Sequence, residues 1–179
     1  QLDQFTNTLS VNDTVTGNSN LNLVGQGTGA VNLRGTGQNL FTYSEQGDLV
    51  FVKEGSTVTS DTTTSPTGTL TADTLTENSA NANHGIYRSQ QLNVGTYTLS
   101  GYFKANTRQY ITLSFSNSAS TGYATSIFDV SGGTVTKTGN AGNFTLISST
   151  ITPAANGWYR CSITASATEQ LYYVLYYIS

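Results

Sequence analysis

The sequence of 179 residues contains no methionine, one cysteine, one tryptophan, one histidine and two prolines. A single cysteine excludes an internal disulfide and a cysteine-based metal site. A small secreted domain often leans on disulfides, so this chain must rely on packing alone. Charged residues make up 9% of the sequence, against roughly 25% in an ordinary soluble domain. The seven lysines and arginines form no cluster and the net charge is −3, which argues against nucleic-acid binding through phosphate neutralisation. No apolar run approaches the roughly 20 residues of a membrane-spanning helix, so no membrane insertion is expected.

In place of charge the chain carries 31 threonines, 20 serines and 16 asparagines. These residues favour strands, turns and caps over helix interiors. A polar chain of low charge can also be disordered. Here, however, 11 tyrosines and 7 phenylalanines stand with Val, Ile and Leu in alternating runs that disordered chains lack. The expected class is all-β.

Two textures divide the chain. Residues 1–38 contain the aromatic-free stretch "LSVNDTVTGNSNLNLVGQGTGAVNLRGTG", in which short apolar pieces end at Gly17, Gly25 and Gly35. Each piece has too little apolar surface for a core, so it must stack on neighbours or on other chains. This segment is read as a shaft or attachment segment, and residues 39–179 as a β-sandwich domain. In the second part, "DLVFVKEG" (48–55), "GIYRSQQL", "GTYTLSGYFKA", "QYITLSFS" and "NFTLISSTITP" read as strands. "GYATSIFDVSGGTVTKTG" reads as two strands joined at Gly132–Gly133. The stretch 59–78 reads mostly as turn, anchored by Leu70 and Leu75. About ten strands result, at spacings suited to two packed sheets. Leu99, Phe103, Ile111, Leu113, Phe115, Tyr159, Cys161 and Ile163 are expected to face inward.

The rare residues concentrate in "NGWYRCSIT" (156–164). Alternation places Tyr159, Cys161, Ile163 and Ala165 on one face, and Trp158, Arg160, Ser162 and Thr164 on the other. Cys161 therefore sits in the apolar set, where a thiol behaves as a small hydrophobe. A nucleophilic cysteine needs a base within reach, and nothing places His84 beside it. The ten carboxylates are scattered and form no pair of the kind that glycoside hydrolysis needs. No nucleophile elbow, phosphate-binding glycine loop or calcium loop occurs. Neither a catalytic centre, a metal site nor a cofactor is expected.

One surface feature remains. Trp158, Arg160, Tyr102 and Tyr110 share the outward parity and are candidates for a glycan-binding face, because sugar rings pack their C–H faces on aromatic rings. The competing reading is that they fill a sheet face covered by loops or by a neighbouring subunit. The final "LYYVLYYI" is apolar on both parities and needs cover on both faces, which a partner subunit or further residues would supply.

In order and spacing, "NLFTYSEQ", the Pro66-to-Gly68 turn followed by "TLTADTLTEN", "YTLSGYFKA", "FDVSGGTV" and "NGWYRCSIT" resemble a jelly-roll module. The module recurs in bacteriophage virion proteins and is described as carbohydrate-binding-like. The resemblance covers about residues 38–170, and residues 1–37 resemble the glycine-punctuated repeats that precede such modules in phage fibres. It implies a non-enzymatic virion protein, a tail or head fibre or a capsid decoration protein, located on the particle surface. Its partners would be other virion proteins and a host surface glycan. A glycan-cleaving depolymerase is the less favoured alternative. The module usually continues into a further strand with a Trp-Gly and acidic signature, and the absence of that strand here leaves the closure of one sheet open. A homotrimer packed through residues 1–38 is expected, since three chains could bury the thin Val/Leu stripe around one axis.

Overall fold

Threonine, valine, isoleucine and the aromatic residues suit a pleated, half-buried backbone, and they dominate nearly every element of the chain. The computed structural model describes residues 39–41 and 47–178. The expected shaft over residues 1–38 lies outside them. One helical turn, α1 (Gly47–Val50), is followed by β1 (Val52–Glu54), β2 (Ser56–Thr64), β3 (Leu70–Glu77), β4 (Gly85–Leu92) and β5 (Gly95–Phe103). Next come β6 (Tyr110–Ser116), β7 (Tyr123–Asp129), β8 (Thr134–Ala141) and β9 (Phe144–Pro153). A 3-10 turn (Ala155–Gly157) then leads into β10 (Tyr159–Ala167) and β11 (Leu171–Ile178).

The strands form a six-stranded sheet in the order β1-β4-β11-β6-β7-β8, a three-stranded sheet β5-β10-β9 and a hairpin β2-β3, with antiparallel pairing throughout. The two larger sheets face each other across one core, so the protein is an all-β sandwich. From the six-stranded sheet come Ile111, Leu113 and Phe115 of β6, Ala124 and Phe128 of β7, and Leu171 and Val174 of β11. Leu99 of β5, Phe144 of β9 and Cys161, Ile163, Ala165 and Ala167 of β10 meet them. Leu113, Phe128, Cys161 and Ile163 are completely buried. Phe103 and Tyr159 pack on this cluster from its margin, so all eight residues expected inward from alternation lie in the core or against it. At one end an aromatic chain extends it: Phe41 lies 6.0 Å from Phe51, Phe51 5.7 Å from Tyr176, and Phe103 6.0 Å from Tyr176.

Two local expectations change, and the last strand finds edge partners. The strand expected over 48–55 shrinks to Val52–Glu54, because residues 47–50 form α1. That turn leaves Leu49 71% exposed while Phe51 is buried beside Phe41 and Tyr176. The stretch 59–78 is mostly strand. Its threonines are β-branched and pair across β2–β3 from Ser56↔Glu77 to Thr64↔Leu70, leaving only residues 65–69 for the turn. Leu70 is exposed and anchors nothing. Finally, β11 pairs along both edges, with β4 and with β6. Its edge hydrogen bonds are satisfied within this chain.

The outer face of the three-stranded sheet carries hydroxyls. Thr98, Ser100 and Tyr102 of β5 stand opposite Thr164, Ser162 and Arg160 of β10, and the Thr98 and Thr164 hydroxyls are hydrogen-bonded at 2.8 Å. Alternation of this kind ties register to burial: a slip of one residue would turn Cys161 and Ile163 outward. Leu113 lies at the centre of the core, so Leu113→Ala should lower unfolding free energy by about 2–5 kcal/mol. Urea unfolding followed by tryptophan fluorescence measures this, and a loss below about 1 kcal/mol would show that Leu113 is not packed as described.

Candidate functional site

"NGWYRCSIT" begins with a turn made by two left-handed residues, Asn156 (φ 60°) and Gly157 (φ 76°). Because β10 starts only at Tyr159, Trp158 precedes the strand and escapes its alternation. Its indole Nε1 donates to the Thr64 carbonyl at 2.8 Å, and the side chain is 7% exposed. Asn156 Nδ2 donates to the Ser65 carbonyl at 3.1 Å. The tip of the β2–β3 hairpin thus covers Trp158, which offers no ring face to a ligand. Arg160 and Tyr102 are direct cross-strand neighbours on the three-stranded sheet, and Arg160 Nη2 donates to Ser100 Oγ at 3.0 Å. Tyr110 belongs to the other sheet, opposite Asp129. The four candidate residues therefore separate into one covered tryptophan, one Arg–Tyr pair and one distant tyrosine.

Tyr110 leads to a different surface. On β6 the residues facing away from the core are Tyr110, Thr112, Ser114 and Ser116, and the last three are small. Tyr173, Leu175 and Tyr177 of β11 stand beside Ser116, Ser114 and Thr112 on one side. Tyr123, Thr125 and Ile127 of β7 stand beside the same three on the other. The larger flanking side chains leave Ser114 8% and Ser116 5% exposed, although both face outward. The Ser114 hydroxyl donates to the Ala124 carbonyl at 3.3 Å. The buried Ser116 hydroxyl has no partner. The Tyr173 ring is held edge-on by Tyr87 at 5.7 Å and Tyr172 at 4.9 Å.

Thr112, at one end of this row, also lines a cleft of about 460 Å³ together with Ile127, Tyr177, Asn83, His84 and the Arg108–Glu77 pair, among others. Arg108 clamps Glu77 through Nε at 2.9 Å and Nη2 at 3.0 Å, a two-pronged geometry that uses both groups on each other. Tyr177 donates its hydroxyl to Glu54 at 2.9 Å. Gly85 makes room for that ring: a Cβ there would stand 2.5 Å from Tyr177 Cδ1 and 2.2 Å from the Tyr176 carbonyl oxygen. His84 Nδ1 donates to the Gly55 carbonyl at 2.7 Å. Sequence reasoning missed this cluster of outward tyrosines because Tyr123 and Tyr173, which both stand beside Ser116, are 50 positions apart. The available signal was the run of small polar residues on the outward parity of "QYITLSFS".

Among the described residues no group of three or more His, Cys, Asp or Glu side chains could hold a metal ion. Asp129, one of the scattered acids, serves a turn: its Oδ1 accepts from the Ser131 and Gly132 amides at 2.8 and 2.9 Å and from the Ser131 hydroxyl. The Gly132 amide bond, followed by those of Ser131, holds its carboxyl below the usual range. No protein-family model and no curated protein matches this sequence.

Burial pushes the Cys161 thiol up to about 12, from 9.0, and likewise raises the Tyr176 and Tyr177 phenols above their usual 10.0. All three groups hold protons more tightly when folded. Their contribution to stability is complete below the unfolded values and is lost as pH rises. The urea midpoint should fall as pH rises from about 9 towards 12, and Cys161→Ala should flatten the first part of that fall. A midpoint constant through this range, or native labelling of Cys161 as fast as in urea, would contradict its sealed position.

Proposed function

We propose that this chain is a non-enzymatic structural module of a bacteriophage particle, a fibre or decoration protein that projects its β-sandwich, in jelly-roll form, from the surface. The motif order supports the reading, together with the character of the surface. The outward residues of β5, β6 and β10 are mostly hydroxyl-bearing, with Tyr102 and Tyr110 among them, which suits faces presented to water. Residues 1–38 would trimerise as the shaft and join the sandwich to other virion proteins.

A second role, adsorption to host surface glycans, is favoured by one observation: the outward tyrosines Tyr110, Tyr123, Tyr173 and Tyr177 on and beside β6. Aromatic rings suit the C–H faces of sugars, and this role coexists with the structural one. A depolymerase would need two facing carboxylates, and Glu77, the acid lining the cleft, is engaged by Arg108.

Antibody raised against residues 40–179 should decorate intact, purified particles in electron micrographs, and the full-length protein should scatter light as a trimer. Particles that carry no label while the protein accumulates free in lysates would overturn the structural reading. A monomer by light scattering would overturn the trimer.

A further inference from the structure

We propose that Asn156–Gly157 is a site of covalent self-modification, in which the asparagine loses ammonia, becomes aspartate or isoaspartate, and releases the β2–β3 hairpin from the start of β10. The inference stands apart from the virion and adsorption readings.

The chain has 16 asparagines, and Asn156 is the one followed by glycine. Glycine has no Cβ to shield its amide nitrogen and turns freely about its backbone, so that nitrogen can reach the preceding side chain. Asn156 and Gly157 are both exposed and both left-handed, at φ 60° and 76°. A Cβ on Gly157 would stand 3.6 Å from Lys104 Cε and 4.0 Å from its Nζ. An ammonium group therefore lies beside the amide that must lose its proton, and its charge favours the anion that forms.

Water is the one co-reactant. The Gly157 nitrogen gives up its proton and bonds to Asn156 Cγ, the Cγ–Nδ2 bond breaks, and ammonia leaves with that proton. The cyclic imide then takes up water. Addition at Cγ breaks the new bond and yields aspartate. Addition at the Asn156 backbone carbonyl yields isoaspartate, in which the chain runs through Cβ and Cγ.

The position of the turn gives the change its consequence. Asn156 Nδ2 donates to the Ser65 carbonyl at 3.1 Å, next to the bond of 2.8 Å from Trp158 Nε1 to the Thr64 carbonyl. A carboxylate accepts hydrogen bonds and donates none, so the product faces the Ser65 carbonyl with no proton between them. One of these two tethers is lost, and isoaspartate also lengthens the turn that sets the entry of Trp158. In the unmodified protein the Ser65 bond holds the side chain in place, so reaction proceeds through local opening of the turn.

The test follows the full-length protein over time in mildly alkaline buffer, beside a sample unfolded in urea, by peptide mapping with mass spectrometry. Asn156 should convert ahead of the other asparagines of residues 47–178, and more slowly folded than in urea. Trp158, the sole tryptophan and 7% exposed, reports release: its emission should move to the red along the same time course, with far-UV circular dichroism unchanged. Asn156→Gln, which would need a larger ring, should lose the conversion. Asn156→Asp should show the red-shifted emission from the start. Lys104→Gln should slow conversion about threefold, the size of one exposed charge interaction. No conversion at Asn156 in the folded protein while the urea sample converts would overturn the site. Conversion with unchanged emission, or emission of Asn156→Asp like that of the parent, would overturn the release of the hairpin.

Discussion

The fold depends on β11 lying between β4 and β6. Antiparallel pairing on both edges uses its backbone donors and acceptors inside the chain, and unpaired strand edges are what natural sheets must otherwise protect. Its two faces then do separate things. Val174 joins the core, with Tyr176 and Ile178 packed on it. Tyr173, Leu175 and Tyr177 lie on the outer face, beside Ser116, Ser114 and Thr112. Without this strand the six-stranded sheet would split into β1–β4 and β6–β7–β8, and the sandwich would lose its central cover. The partners of β11 lie roughly 60 to 90 positions upstream, so much of the sheet waits on long-range pairing, which is slow to form.

The same arrangement explains why a chain so poor in charge and in aliphatic side chains can hold a core. The apolar side chains of β5, β6 and β10 are concentrated on one parity, and the opposite parity is left mostly to Thr, Ser and Tyr. Hydroxyls replace charges on the outer faces because they can bond one another, as Thr98 and Thr164 do, or the sheet itself, as Thr125 does with the Leu113 carbonyl. Cys161, between β5 and β9 in its sheet, faces the six-stranded sheet and is part of this apolar layer.

Where the outcome depended on period-2 alternation within a strand, the residues themselves were sufficient: Leu99, Ile111, Leu113, Phe115, Cys161 and Ile163 all face the core. Where it depended on a strand's limits, they were not. Trp158 fits the outward parity of β10 by counting, but β10 begins one residue later, and the 3-10 turn sends the indole under the β2–β3 hairpin. Threonine-rich β2 and β3 looked like turns because Thr serves both roles, and only cross-strand pairing settles which. The two-sided apolarity of "LYYVLYYI" was legible as a demand for cover. That the strand would be central, with its edges satisfied by β4 and β6, was not, since pairing partners lie far away in sequence. The cluster of outward tyrosines was hidden for the same reason: β7 and β11 flank β6 from far apart in sequence.

Hydrogen exchange of the backbone amides of residues 173–178 tests the central placement of β11 most directly. In dilute, unliganded protein these amides should be among the slowest to exchange, close to those of Leu113 and Phe115, because they are paired on both sides. Exchange of the 173–178 amides at the rate of an edge strand such as β1, or protection that appears only when a second molecule binds, would contradict the account.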